Sequence, residues 1–249
     1  MSSDIAENPA GLIPAEYAFL PIARIHSCFT EKFGIPRQPG LAGSATASIE
    51  MLPPFDRREM FRGLEKFSHI WIHFLFHQAV TEGWRPTVRP PWLGGQKRVG
   101  VFASRSPHRP NFIGLSVVRL VGIRTEGKKI FLDIAGIDIL DQTPVFDIKP
   151  YLPYSDGVAE ATSGYSRQAQ TQMQVTFSVE AEAACAAYQL ETGRNLQGLI
   201  SEILRQDPRP ASQRAGEREH GMLLWDVNIR WQTSSGGVLV LSCEQLKAR

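Results

Sequence analysis

The chain has 249 residues, 43% of them hydrophobic, and its 27 basic and 25 acidic side chains leave a formal net charge of only +2. This composition is typical of a globular protein, and no apolar stretch approaches the roughly 18 residues that span a bilayer, which disfavours a membrane protein. Residues 1–15 lack the basic start and apolar stretch of a signal peptide. The three cysteines, Cys28, Cys185 and Cys243, are far apart and lack CxxC spacing, which predicts free thiols in a reducing, cytoplasmic compartment and no metal site.

Residues 1–15 are predicted to form a flexible tail, and residues 16–155 a core made mainly of strands. The predicted strands are rich in β-branched or aromatic residues and end at Gly, Pro or charged turns: Tyr17–Ile25, Ala47–Leu52, His69–Phe76, Arg98–Ala103, Leu115–Ile123 and Lys129–Ala135. Only Phe55–Lys66 has apolar residues at helical spacing. Many short strands with one helix favour a mainly β fold with a closed or nearly closed β-barrel core, and disfavour a Rossmann-like sheet.

The composition changes after residue 155. Residues 156–172 are polar and rich in small residues, which indicates a connector. Residues 173–249 are predicted to form a small α+β C-terminal domain. Its expected elements are a strand Val175–Val179, helices Ala181–Glu191 and Leu196–Arg205, and strands Leu223–Trp231 and Val238–Glu244.

Two segments of the predicted core are dense in charged residues and prolines, and they mark a candidate site. Residues 105–115, RSPHRPNFIGL, place two guanidiniums and an imidazole in a loop with two prolines, and residues 138–151, DILDQTPVFDIKPY, place three carboxylates around a Thr-Pro turn. Proline restricts φ to about −65° and lacks an N–H donor, so these loops hold charged groups in fixed positions, as a pre-organised site requires. Simple turn formation is the alternative role for the aspartates.

Positive charge is concentrated around the first run. Residues 81–130 contain ten basic and two acidic residues, a net charge of +8, which leaves −6 for the rest of the chain. A local basic field can attract an anion or a nucleic acid although the whole protein is almost neutral. Within it, residues 84–92, WRPTVRPPW, combine arginine and tryptophan in a way that suits base stacking or a dimer contact. A solvated face with a structured loop is the alternative interpretation.

Several common enzyme classes lack their motifs here. The sequence contains neither GxGxxG after a strand nor a Walker A pattern, and neither a serine nucleophile elbow nor HExxH. A nucleotide hydrolase, a serine hydrolase and a zinc protease of the familiar types are therefore not supported.

Taken together, the motifs resemble those of the tRNA threonylcarbamoyladenosine methyltransferase family. The resemblance extends over Tyr17–Glu244 and is carried by PRQPG, FHQ, GWRPTVRPP, RSPHRPNFIGLS, DILDQTPVFDIKPYLPYSD and QDPRP. It implies a β-barrel enzyme that uses S-adenosylmethionine to methylate the exocyclic amino nitrogen of threonylcarbamoyladenosine beside the anticodon. It also implies a homodimer whose cofactor lies between barrel loops, with contributions from both subunits.

Matched motif by motif, the resemblance places a set of residues at the cofactor: Pro36, Arg37, Gln38, His77, Gln78, Arg105, Leu115, Asp138, Ile139, Leu140, Asp141 and Thr143. Their chemistry agrees with that role, because arginine binds a carboxylate through two parallel hydrogen bonds, aspartate can meet an ammonium or a hydroxyl, and proline and leucine offer an apolar slot for adenine.

The reaction and the substrate suggest further residues. The acceptor nitrogen is a poor nucleophile while it keeps its proton, so Asp138, Asp141 and His108 are candidate general bases. Five basic residues are candidate contacts for the tRNA anticodon loop or the threonyl carboxylate: Arg85, Arg89, Arg109, Lys149 and Arg209. The alternative functions are a non-catalytic RNA-binding or S-adenosylmethionine-sensing module on the same barrel, and methylation of a different small or RNA substrate.

Overall fold

A closed barrel of six antiparallel strands forms the first part of the chain. The strands of this part are β1 (Ala23–Ser27), β2 (Thr46–Met51), β3 (His69–Leu75), β4 (Thr87–Val88), β5 (Val99–Gly100), β6 (Ile113–Glu126), β7 (Lys129–Ala135) and β8 (Pro144–Pro150). The barrel order is β1-β2-β7-β6-β3-β8, with β8 closing against β1, while β4 and β5 form a separate ribbon. The prediction of a mainly β fold with a closed barrel core is confirmed.

The computed structural model describes five stretches of the chain: residues 16–90, 97–164, 173–209, 218–234 and 237–246. The predicted tail at residues 1–15 lies outside them, and so does the part of the predicted connector at residues 165–172. Within these stretches no helix is long and apolar enough to cross a bilayer.

Apolar side chains at alternate positions of the strands form the core of the barrel. In β3 the residues Ile70, Ile72 and Phe74 are buried, whereas the residues between them are partly exposed. Because successive side chains of a strand point to opposite faces, this period-two pattern lines the inside of a barrel with apolar groups. Ile25 of β1 and Ile49 of β2 complete the same core and are fully buried.

Three elements predicted before β6 differ in the structure. The predicted helix at Phe55–Lys66 is instead two 3₁₀ turns, Arg58–Phe61 and Leu64–Lys66, because Gly63 between them has a φ of +91° and interrupts any helix. The first strand begins only at Ala23. The strand predicted at Arg98–Ala103 is the short β5 followed by a 3₁₀ turn.

Strand β8 was not predicted at all. Asp147 and Lys149 alternate with apolar residues along it, and a proline stands at each end. Proline is tolerated at strand ends, where its missing N–H costs no ladder hydrogen bond. The run at residues 138–151 is therefore a loop followed by the strand that closes the barrel.

The C-terminal domain is a four-stranded sheet covered by two helices, which confirms the predicted α+β class. After the short helix α1 (Pro153–Asp156), its elements are β9 (Val175–Phe177), α2 (Val179–Thr192), α3 (Leu196–Arg205), β10 (Glu219–Leu224), β11 (Val227–Ser234) and β12 (Gly237–Gln245). The sheet order is β10-β11-β12-β9, with β9 parallel to β12. The predicted strand Leu223–Trp231 is a hairpin, because Trp225, with a φ of +52°, reverses the chain.

Helix ends and cysteines agree with simple physical rules. The Ser178 side chain accepts a hydrogen bond from the Ala181 N–H and begins α2, and Gly193, with a φ of +73°, ends it. The cysteines are free thiols, as predicted, and the Sγ atoms of Cys185 and Cys243 lie 3.7 Å apart between α2 and β12.

The two domains share one continuous apolar core and several hydrogen bonds. The Trp225 N–H donates to the Cys28 carbonyl at 2.8 Å, and the Ser44 N–H donates to a Glu202 carboxylate oxygen at 2.8 Å. The C-terminal domain therefore packs directly on the loops that follow β1. Those loops lie at the end of the barrel where β1 ends and β2 begins.

Candidate functional site

One end of the barrel holds a cavity of about 840 Å³. Because neighbouring strands are antiparallel, the ends of β1, β3 and β7 and the starts of β6 and β8 all meet there. The walls come from the segment after β1, the end of β3 with the following 3₁₀ turn, the loop before β6, and the loop between β7 and β8. These are the segments that carry the sequence motifs, so the topology gathers them at one place.

The structure brings most of the candidate residues together in this cavity. All of the proposed cofactor residues except Asp141 line it, and so do His108 and Arg109. The wall residues from that set are Pro36, Arg37, Gln38, His77, Gln78, Arg105, Leu115, Asp138, Ile139, Leu140 and Thr143. The cavity therefore combines cationic, anionic, amide and apolar groups.

Asp138 is a carboxylate enclosed by the barrel end. The Ser116 hydroxyl donates a hydrogen bond to its Oδ1 at 2.6 Å. Burial raises the pKa of Asp138 to about 6, and this rise prevails over the lowering effects of the Ser116 hydrogen bond and the Arg105 charge. A carboxyl group that titrates near neutrality can exchange a proton with a bound ligand, or it can meet a cation.

The loop before β6 is fixed by its own hydrogen bonds. Arg105 Nη1 donates to Gln38 Oε1 at 2.6 Å, and Arg109 Nη1 donates to the Ser104 carbonyl at 3.1 Å. Asn111 and Phe112 both have positive φ, +64° and +53°, a conformation that non-glycine residues adopt rarely. These contacts hold the two guanidiniums at the cavity wall before any ligand binds.

His108 lies in a small charged cluster at the same wall. Its Nε2 is 3.6 Å from a Glu82 carboxylate oxygen, and its Nδ1 is 3.3 Å from the Gly83 carbonyl. Lys32 Nζ donates to the other Glu82 oxygen at 2.7 Å, and this ion pair lowers the pKa of Glu82. Both ring nitrogens of His108 thus face oxygen atoms of the protein.

The turn that leads into β8 is stabilised by contacts of the Thr143 hydroxyl. The Thr143 hydroxyl donates to the Leu140 carbonyl at 2.7 Å, and His77 Nδ1 lies 3.3 Å from the same hydroxyl. Burial lowers the pKa of His77, so its ring is neutral at pH 7 and can donate to that oxygen. The loop therefore reaches the cavity in one defined conformation.

Two candidates are engaged elsewhere in the protein. The Asp141 carboxylate does not line the cavity and accepts the Ser27 N–H at 2.8 Å. Arg209 is only 5% exposed and donates to both carboxylate oxygens of Asp207, at 2.7 and 3.1 Å. Its guanidinium also donates to Thr233, and Arg209 does not line the cavity.

The remaining basic candidates lie outside the cavity wall. Arg85 and Arg89 are exposed on either side of β4, and the Arg85 N–H donates to the His108 carbonyl at 3.0 Å. Lys149, exposed on β8, pairs with Asp147. Residues 91–96, which follow in the Trp- and Arg-containing run, lie outside the described residues.

Sequence reasoning missed several wall residues. Ser116 is detectable in retrospect, because it occupies an inward position of β6 between Gly114 and Val118, where a hydroxyl needs a partner. Lys32 and Glu82 carry no such signal, since they come together only through the fold. Across the part of the chain that the structure describes, no cluster of His, Cys, Asp or Glu has the makeup of a metal site.

Comparisons with known proteins agree with the fold and the motifs. The model of the tRNA-methyltransferase O N-terminal domain matches residues 24–157, and that of the TrmO C-terminal domain matches residues 170–246. The tRNA (adenine(37)-N6)-methyltransferase of Escherichia coli K12 is 41% identical over 233 residues, which are 92% of this chain and 99% of the relative.

A curated relative and a solved structure from Pseudomonas aeruginosa are also similar. One, RcsF, is named as an S-adenosylmethionine-dependent methyltransferase and is 48% identical over 212 residues, 85% of this chain and 90% of the relative. The crystal structure of TrmO from the same organism has a TM-score of 0.78 at 40% identity and covers 94% of this chain and 99% of that one.

Proposed function

The chain belongs to the tRNA-methyltransferase O family, and we propose that it methylates the exocyclic amino nitrogen of threonylcarbamoyladenosine at position 37 of tRNA, as a cytoplasmic homodimer. The methyl donor is S-adenosylmethionine, on which the related methyltransferases depend. The observation that carries the proposal is the cavity at the barrel end, whose wall combines the half-buried Asp138 carboxylate with three arginines, Arg37, Arg105 and Arg109.

The groups in the cavity fit S-adenosylmethionine, which has a carboxylate, an ammonium, a ribose and an adenine. Arg37 and Arg105 would hold the carboxylate, and Gln38 would hold polar groups of the amino acid or ribose. Pro36 and Leu115 offer apolar surface for the adenine. When bound, the cofactor supplies an electrophilic methyl group.

Asp138 is the best placed of the three candidate bases. The acceptor nitrogen of threonylcarbamoyladenosine is conjugated with both the purine ring and a carbonyl, so it attacks readily only as its proton leaves. With a pKa raised to about 6, the Asp138 carboxylate is mostly ionised at pH 7 and is a stronger base than an exposed aspartate. The Ser116 hydroxyl holds it in one orientation.

The other two candidates are less suited to remove that proton. Asp141 is turned towards Ser27 and lies outside the cavity wall. His108 has both ring nitrogens directed at protein oxygens. Arg109 lines the cavity and is the preferred partner for the threonyl carboxylate of the substrate.

The substrate proposal predicts a difference between two tRNAs. With labelled S-adenosylmethionine, we expect methyl transfer to tRNA that carries the threonylcarbamoyl group and none to the same tRNA without it, because the unmodified adenosine offers no carboxylate to Arg109. Equal transfer to both would contradict the proposed substrate. Transfer to neither, with the cofactor still bound, would favour a non-catalytic RNA-binding or S-adenosylmethionine-sensing module.

The basic surface predicts salt-dependent binding of tRNA. We expect the affinity to fall steeply as salt rises, because each phosphate contact releases counterions. Arg85→Gln and Arg89→Gln should each reduce the slope of log Kd against log salt by about 1, while Lys66→Gln, an exposed lysine outside residues 81–130, serves as the control. Filter binding between low and moderate salt tests this, and an affinity independent of salt would contradict it.

A further inference from the structure

The cavity loop between β7 and β8 is tied to the segment that follows β1. The Asp141 carboxylate accepts the Ser27 N–H at 2.8 Å, and the Asp141 N–H donates to the Phe29 carbonyl at 2.7 Å. Ser27 and Phe29 are buried, and the Ser27 hydroxyl accepts the Phe29 N–H at 3.1 Å. One residue of the loop thus holds both ends of a buried three-residue segment.

The same segment is held on its other side by the C-terminal domain. The Trp225 N–H donates to the Cys28 carbonyl at 2.8 Å, and Phe29 forms an isolated antiparallel bridge with Leu224. Trp225 stands in the turn between β10 and β11, and the Arg194 guanidinium lies 5.1 Å from its ring centroid. Residues 27–29 are therefore shared between the cavity loop and a turn of the C-terminal domain.

We propose that Asp141 is a positioning residue that fixes the cavity loop, residues 138–143, to the C-terminal domain through residues 27–29, and that this connection sets the affinity for S-adenosylmethionine. The loop carries Asp138, Ile139 and Leu140 on the cavity wall, while the Asp141 carboxylate points away from the cavity. The inference rests on the proposed function only in the identity of the ligand.

Two substitutions of Asp141 separate positioning from direct contact. Asp141→Ala removes the acceptor of the Ser27 N–H and should raise the Kd for S-adenosylmethionine about tenfold, as expected for a lost buried hydrogen bond. Asp141→Asn keeps an oxygen that accepts the same N–H and should stay within about threefold of wild type. Asp147→Ala removes an equal charge from β8, outside the cavity wall, and should leave the Kd unchanged.

Isothermal titration of the full-length variants with S-adenosylmethionine alone provides the measurement. If Asp141→Asn weakens binding as much as Asp141→Ala, the negative charge itself meets the ligand and the proposal is wrong. A wild-type Kd in Asp141→Ala would also overturn it. Because no tRNA is used, a protein that shows the expected pattern but transfers no methyl group would disprove the proposed function alone.

The far end of the connection is tested from the C-terminal domain. Trp225→Ala keeps the backbone N–H but removes the ring on which Arg194 packs, and Arg194→Met removes the guanidinium from that ring. By loosening the turn, both should speed amide hydrogen exchange in residues 138–143 and raise the Kd for S-adenosylmethionine in the same direction as Asp141→Ala. Unchanged exchange in that loop, with faster exchange confined to the C-terminal domain, would show that no coupling reaches the cavity.

Discussion

Replacing Asp138 with asparagine is expected to slow methyl transfer by about 10²–10⁴-fold, the usual contribution of a general base. Asparagine has nearly the same shape and can still accept the Ser116 hydroxyl, but it cannot take a proton. The rate of the wild-type enzyme should rise with pH through about 6, the value to which burial raises the pKa of Asp138, and then level off. The variant should lack that rise.

Single-turnover transfer of labelled methyl to threonylcarbamoyl-tRNA, measured across this pH range, distinguishes chemistry from product release. Asp147→Asn, at an exposed ion pair on β8, is the matched control and should keep the wild-type rate. A wild-type rate in Asp138→Asn would remove Asp138 from the proposed mechanism.

The same substitution should stabilise the protein without its ligand. The folded-state pKa of Asp138, about 6, lies above its ordinary value of 3.8, so between these values the folded protein binds the proton more tightly than the unfolded chain. Stability is therefore lost as pH rises through this window, and above it the ionised carboxylate costs on the order of 3 kcal/mol. In urea unfolding, Asp138→Asn should be more stable than wild type above pH 6, and the difference should shrink as pH falls towards 3.8.

Gly114→Ala is expected to damage both the barrel and the cavity. A Cβ at this position would lie 2.3 Å from Phe74 Cζ and 2.4 Å from Cε2. The Phe74 ring is 4% exposed and packs edge-on against Phe76, with 5.0 Å between the ring centroids, so it has little room to move. Overpacking of this kind costs about 1–3 kcal/mol, and because both residues line the cavity, the Kd for S-adenosylmethionine should rise at least about tenfold.

A second substitution and a control make this prediction specific. Phe74→Leu shortens the opposing side chain and should restore much of the binding lost in Gly114→Ala. Gly122→Ala places a methyl group on the same strand, where no atom lies within 4 Å, and should be nearly neutral. Thermal unfolding and isothermal titration of the single and double variants provide the measurements, and equal losses at residues 114 and 122 would refute the steric explanation.

Much of the barrel follows from period-two patterns in the sequence. The bounds of β3 and β7 were predicted almost to the residue. Buried and partly exposed residues alternate along β3, whereas β7 is a nearly continuous buried apolar run that ends before Gly136. β8 escaped prediction because its exposed face carries Asp147 and Lys149, and its two prolines suggested a loop. Its strand conformation comes from its neighbours β1 and β3, which sequence patterns do not reveal.

The sequence motifs predicted which loops form the site, but they did not predict which way each side chain of those loops points. Asp138 and Asp141 lie in one motif and look equivalent in sequence, yet one lines the cavity and the other accepts the Ser27 N–H. The turn between them and β8 decides this, with Gln142 at a φ of +62°. Likewise, Asp207 and Arg209 pair with each other, an outcome of local turn geometry that composition alone cannot indicate.

The position of β8 in the chain affects when the barrel can close during folding. Its first residue, Pro144, directly follows the cavity residue Thr143, and its partner in closing the barrel is β1, the strand nearest the start of the described chain. Pairing of two segments so distant in the chain closes a long loop, which costs conformational entropy before the contacts form, so this step is slow. During synthesis the chain therefore cannot complete the cavity that we propose for the cofactor until β8 has left the ribosome. A ligand that binds only the closed barrel stabilises it by mass action, so the concentration of the cofactor and the stability of the barrel are thermodynamically linked.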